Sequence, residues 1–143
     1  MRKNLAVLPL AICLCLALSG CTSKLTTIRP TLITRIVTQE VATGIKTDHH
    51  RKTDLALDEL MDVLILQMQR QYKKTSMCTD SDKRLYDVIF YRGDSRELEV
   101  IIYSDGSVCK DGTRYVLPQE TLRNSLSDDL QRWSDFIFFE KNE

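Results

Sequence analysis

The side chains able to do chemistry in this chain are few, and their spacing limits what they can do. Cys21 ends the run Leu18-Ser19-Gly20-Cys21 behind an apolar stretch, and two further cysteines, Cys78 and Cys109, stand well apart. Cys13 and Cys15 lie inside the apolar stretch, where cysteine behaves as a small hydrophobe. The histidines, His49 and His50, are neighbours in Asp48-His49-His50-Arg51-Lys52. Neighbours in an extended loop point apart, and no Cys or His follows at a ligand interval, so the pair reads as part of an exposed polar connector. No buried partner can be named that would make either a pH sensor. Asp80-Ser81-Asp82 opens like a calcium loop but lacks the required glycine and the later glutamate. A Ser or Cys nucleophile needs a base held by a third group, and two histidines in one loop do not supply that. The sequence has no Gly-x-Ser-x-Gly, no phosphate-cradling glycine loop and no dinucleotide fingerprint. Asp87, Glu97 and Glu99 could bring a carboxylate pair together on adjacent strands, although such pairs are usually a solvated face. The chain therefore reads as a non-enzyme, with no catalytic residue, no metal and no cofactor expected.

The leader says more. Arg2 and Lys3 precede an apolar run from Leu5 to Leu18, which ends in small residues. This is the charge-then-apolar-then-small layout of a secretory signal. The run is about 14 residues, short of the ~20 a bilayer-spanning helix needs, and Pro9 interrupts it. The ending Leu18-Ser19-Gly20-Cys21 resembles the lipobox of bacterial lipoproteins. That resemblance implies a diacylglyceryl group on the Cys21 thiol and cleavage between Gly20 and Cys21, with residues 1–20 as signal peptide. It also implies an extracytoplasmic domain anchored in the cell membrane by the lipid on Cys21, or in the outer membrane of a Gram-negative host. The alternatives are an ordinary secretory signal, or a small-residue run beside a chance cysteine.

Cleavage there leaves 123 residues, enough for one domain with a real core and too few for two. The full chain balances 20 Lys+Arg against 20 Asp+Glu; losing Arg2 and Lys3 leaves a small acidic excess. A nucleic-acid partner is not expected, since it would call for a basic excess on one face. Nor does the net charge by itself attract anionic lipid, so the acyl chains must anchor the domain. Cys78 and Cys109 are an even pair in a domain exported from the reducing cytoplasm. A bridge would close a loop of about 32 residues, worth at most roughly 3.5–4 kcal/mol on the chain-entropy model. The alternative is two buried free thiols.

Positioning these groups falls to a short run of elements. Residues 21–30 comprise the lipidated cysteine and a polar tether, Thr22 to Pro30, reaching ~30 Å when fully extended. A single domain is expected over 31–143. Thr31 to Gln39 is dense in β-branched residues and reads as a strand; Thr43-Gly44 turns the chain, and Ile45 to Thr47 returns as a short second strand. Thr53 suits an N-cap, with Asp54 in the first helical turn. Leu57, Leu60, Met61, Leu64 and Met68 then mark one face of a helix from about Asp54 to Arg70. That face could be core or, through its methionines, a partner groove. Tyr72 to Cys78 is a strand, followed by Tyr86–Tyr91, Glu97–Tyr103, Val108–Lys110 and Thr113–Leu117. Gly93-Asp94-Ser95, Asp105-Gly106 and Asp111-Gly112 turn between these, and Asp-Gly between β-prone runs is a strong hairpin signal. After Pro118, Leu122, Leu126, Leu130 and Trp133 mark a second amphipathic helix. The apolar stretch Trp133 to Phe139 either continues it or forms a closing strand. Burial is its default, and a membrane or partner contact is the sharper reading.

The expected fold class is α+β: an antiparallel meander packed by two amphipathic helices. The body resembles small lipoproteins of Gram-positive bacteria. The shared features are a first strand like Ile33-Thr34-Arg35-Ile36-Val37, a turn like Thr43-Gly44, a helix like Thr53 to Met68 and an ending like Asp105-Gly106-Ser107-Val108 through Gly112-Thr113-Arg114-Tyr115. This covers most of residues 31–132 and implies a fold and a location. The cysteine pair and the aromatic tail depart from that group. Two functions follow as expectations. One is a binding or inhibitory module with a protein partner. The other is an assembly factor for an envelope or secretion machine, similar in size and plan to the pilotin lipoproteins. A long apolar groove along the helices would favour assembly, and a polar sheet face would favour capture of a soluble protein.

Overall fold

Alternation of apolar and polar residues along the meander builds one face of a sheet that two helices cover. The computed structural model describes residues 21–51, 55–79 and 83–141, and their side chains apart from Leu55 and residues 137–141. The signal segment expected over 1–20, the cap expected at Thr53 with Asp54, and Asp80-Ser81-Asp82 lie outside the described residues. The strands are β1 (Thr22–Ser23), β2 (Arg35–Glu40), β3 (Lys46–His50), β4 (Tyr72–Met77), β5 (Arg84–Arg92), β6 (Ser95–Tyr103), β7 (Val108–Lys110) and β8 (Thr113–Val116). They form one eight-stranded sheet in the order β1-β4-β8-β7-β6-β5-β2-β3. Every pairing in it is antiparallel. The helices are α1 (Leu55–Met68) and α2 (Glu120–Lys141). The α+β class and the meander are as the periodicity predicts.

Register assigns the two faces. Ile36 lies opposite Phe90 and Phe90 opposite Leu98, with Thr38, Val88 and Val100 forming the next row. These rows face the helices, and all six residues are buried. Met61, Leu64, Ile65 and Met68 of α1 and Leu126, Leu130 and Trp133 of α2 complete this core. The methionine-bearing face of α1 is therefore core. The Asp111-Gly112 turn has φ of 50° and 76°, and this double left-handed geometry matches the twist of a two-residue hairpin between β7 and β8.

Three expectations need correction or completion. The stretch read as a tether, Thr22 to Pro30, is part of the domain. Thr22 and Ser23 pair with Lys73 and Tyr72 of β4, Leu25 is buried, and the Leu25 amide donates to the Met68 carbonyl at 2.9 Å. The last carbonyls of a helix lack partners within it, and an unpaired strand edge offers more; Leu25 and Ile28 add apolar surface to cover the core. Second, Asp48-His49-His50 is not a loop. β3 runs through His50, so His49 faces the helices and is buried while His50 faces solvent. The strand's period of two overrides the polar composition. Third, the aromatic tail continues α2 to Lys141 as a single helix, in which Trp133 is fully buried and Phe136 packs against the core.

Candidate functional site

The buried polar groups come first, because they decide what is structural. The Trp133 indole N–H points between Thr38 and Thr47, 3.2 and 3.4 Å from their hydroxyl oxygens, which are hydrogen-bonded to each other. His49 stands edge-on to Trp133, with ring centroids 5.6 Å apart, and its Nε2 is 2.9 Å from Asp58 Oδ1 on α1. These groups tie β2 and β3 to both helices. A second clasp joins the helices directly. Buried Gln67 donates from Nε2 to Ser125 Oγ at 3.0 Å and to Asp129 Oδ2 at 2.7 Å, and accepts from Arg70 Nε at 2.8 Å. Satisfied in this way, the clusters specify packing rather than present reactive atoms to a ligand. Burial also pushes the hydroxyls of Tyr72 and Tyr86 above the ordinary tyrosine range. Tyr72 donates to the Gln67 carbonyl at 3.0 Å. None of these roles was legible beforehand, because each depends on which face of an element meets its neighbour.

The face of the sheet turned away from the helices is different. Across β3, β2, β5 and β6 one row reads Asp48, Val37, Ile89, Glu99, and the next reads Lys46, Gln39, Asp87, Ile101. All of these except Asp48, together with Arg84, line a shallow cleft of about 250 Å³. Val37, Ile89 and Ile101 give it apolar surface, and Lys46, Arg84, Asp87 and Glu99 bring charges of both signs among them. Asp87 Oδ1 is buried there without a hydrogen-bond partner among the described residues. Beside the cleft, Arg35 donates from Nε and Nη2 to the two Asp48 carboxylate oxygens at 2.7 and 2.6 Å and lies over the Tyr91 ring. Those hydrogen bonds hold the Asp48 carboxyl below the usual carboxylate range.

Of the three candidate carboxylates, two share this face. Asp87 lies opposite Ile101 and Glu99 opposite Ile89, a diagonal arrangement on adjacent strands. Glu97 is elsewhere, 2.9 Å from Arg92 Nε in an ion pair beside the N-terminal segment. Among the described residues no group of three His, Cys, Asp or Glu is placed to hold a metal ion.

The cysteines take separate places. Cys78 and Cys109 are joined by a disulfide with Cα atoms 6.0 Å apart. The Cys78 amide donates to the Gly112 carbonyl at 2.9 Å, so the bridge pins the end of β4 to β7 across the β7–β8 turn. The strand it secures is second from the sheet's edge. Nearby, Arg114 lies over the Tyr103 ring and pairs with Asp105. Burial pushes the Asp105 carboxyl up, but hydrogen bonds from Ser107 and the Arg114 charge outweigh it and leave the group below its ordinary value. Cys21 is exposed and free, one residue before β1.

A second concavity, of about 420 Å³, runs between the helices on their solvent side. Ala56, Leu60, Val63 and Phe136 line it, with Glu59, Arg132 and Asp135 around them. No described helix is long and apolar enough to cross a membrane. No protein-family model, curated protein or solved structure matches the chain.

Proposed function

We propose that this chain is an extracytoplasmic lipoprotein, anchored through Cys21, whose domain is a non-catalytic binding or inhibitory module for a protein partner. The observation that carries the binding role is the uncovered sheet face. Both helices pack on the other side, leaving a cleft in which Val37, Ile89 and Ile101 are interspersed with Lys46, Arg84, Asp87 and Glu99. A surface that mixes apolar side chains with charges of both signs suits a protein partner, which charge complementarity selects. The anchor is supported by the Leu18-Ser19-Gly20-Cys21 motif behind its charged and apolar leader.

A second reading, an assembly factor of the pilotin kind, draws on the interhelical groove. Its lining is confined to Ala56–Val63 and Arg132–Phe136, and three of its seven lining residues are charged. The groove is too short and too charged to cradle a long apolar helix, which is why the sheet face is favoured. A photo-crosslinking amino acid at Glu99 should trap a discrete partner in intact cells, and the double reversal Lys46→Glu with Arg84→Glu should abolish the adduct. Adducts formed from Val63 and not from Glu99 would replace the sheet-face reading with the assembly reading.

A further inference from the structure

We infer that the edge of the sheet formed by β1 and β4 is the surface this domain turns towards its membrane, where it meets anionic lipid headgroups. The inference rests on acylation at Cys21 and adds the orientation that acylation alone leaves open. Its first support is the lack of slack behind the anchor. Thr22 and Ser23 are paired to β4, and Leu25 is buried and hydrogen-bonded to the end of α1. One residue spans ~3.3–3.6 Å, against the ~30 Å that a free tether over 22–30 would allow. Acyl chains on Cys21 therefore bring this edge down to the headgroup layer.

The chemistry of the edge suits that layer. β1 pairs with Tyr72 and Lys73, and among the described residues no further strand lies on the outer side of β4 from Lys74 to Met77. The antiparallel register, continued by one residue, runs Cys21 alongside Lys74 and aims the start of the chain towards Met77. Lys24, Lys73 and Lys74 are exposed, and none forms an ion pair among the described residues. β4 itself, Tyr-Lys-Lys-Thr-Ser-Met, has no acidic residue. Three unpaired cations on one edge of a slightly acidic domain are what an anionic surface attracts, over a distance limited by salt screening. Met77, 79% exposed, is the most exposed large hydrophobic residue among those described, and it lies about 10 Å along the strand from Lys74. A flexible thioether beside lysines fits the boundary between headgroups and acyl chains. With this edge down the sheet stands upright, leaving the cleft on its open face accessible to a soluble partner.

The test uses the chain from Cys21 onward with its disulfide intact, so that Cys21 is the reactive thiol. It is coupled to a maleimide lipid in phosphatidylcholine vesicles with or without phosphatidylglycerol, and tryptophan quenching by brominated acyl chains reports depth. Trp133 is fully buried and provides a constant background. Met77→Trp should be quenched strongly on anionic vesicles. Ile45→Trp, at the opposite edge of the sheet and also exposed, should not be. Adding Lys73→Glu and Lys74→Glu should reduce quenching of the Met77→Trp protein at least severalfold, and raising the salt should do the same. Equal quenching at both positions, or stronger quenching at Ile45→Trp, would overturn the inference. Because the coupling is chemical, this outcome is independent of acylation in the host, which fails or holds on fatty-acid labelling of the Cys21→Ser protein.

Discussion

Asp48 and Arg35 show how a pair at the sheet surface responds to pH. Two short hydrogen bonds from the guanidinium lower the Asp48 pKa in the folded state below its unfolded value. A depressed carboxyl pKa adds stability that is fully present above the unfolded value, about 4, and is lost as pH falls through the folded one. Stability should therefore decline on acidification below about pH 4, with this pair contributing to the slope. Arg35→Ala should remove that contribution: the gap between it and the parent, measured by urea unfolding, should narrow from pH 6 towards pH 3. The effect should be small, because the pair is partly solvent-exposed and screened. A gap that widens on acidification would mean that another group controls the acid limb. His49 shows the opposite placement: the same residue type as His50, one position away, is taken into the core and paired with Asp58.

Among the elements, the Asp105-Gly106 turn does more than reverse the chain. Gly106 has φ of +79°, and a Cβ there would stand 2.7 Å from Arg123 Cβ and 3.1 Å from the Arg123 backbone on α2. The turn between β6 and β7 thus packs directly under the helix, whose Arg123 donates to the Leu117 carbonyl at 2.8 Å. Gly106→Ala combines left-handed strain, roughly 1–2 kcal/mol, with a clash that no flexible side-chain end can relieve. It should cost about 2 kcal/mol or more in denaturant unfolding. Gly93→Ala, at φ of +57° with nothing within 4 Å, should show the strain alone. Similar losses in the two variants would mean that the helix is not seated on the turn.

At the scale of the whole molecule, the proposed anchor and the fold depend on different cysteines. Cys21 lies at the surface before β1, whereas Cys78 and Cys109 bridge β4 to β7 inside the sheet. Cys21→Ser should abolish fatty-acid labelling and move the protein from the detergent-rich to the aqueous phase, with its unfolding midpoint unchanged. Cys109→Ser should do the reverse, lowering stability by a few kcal/mol at most while labelling persists. Labelled fatty acid on the Cys21→Ser protein would sink the lipoprotein reading, and an unchanged midpoint for Cys109→Ser would remove the disulfide from the fold's support.

Local chemistry was enough to write most elements from the sequence. Asp-Gly pairs reverse a chain wherever they stand between β-prone runs, and Leu57, Leu60, Met61, Leu64 and Met68 mark one helix face whatever it meets. The candidate disulfide pair was also legible, since two cysteines remain in the domain once Cys21 is assigned to the anchor. Tertiary structure alone decided what each face touches. The segment 22–30 is polar enough to read as a tether, yet it pairs with a strand fifty residues further on and bonds through Leu25 to the last turn of α1. His49 looks like a loop residue, and nothing marks Thr47 as buried, until β3 pairs with β2 and turns both under Trp133. Gln67 looks like one more polar helix residue until α2 arrives carrying Ser125 and Asp129. Periodicity records a residue's own neighbours along the chain, whereas burial and hydrogen bonding of these groups depend on elements distant in sequence. The open sheet face belongs to the same class, because it exists only once both helices have settled on the other side.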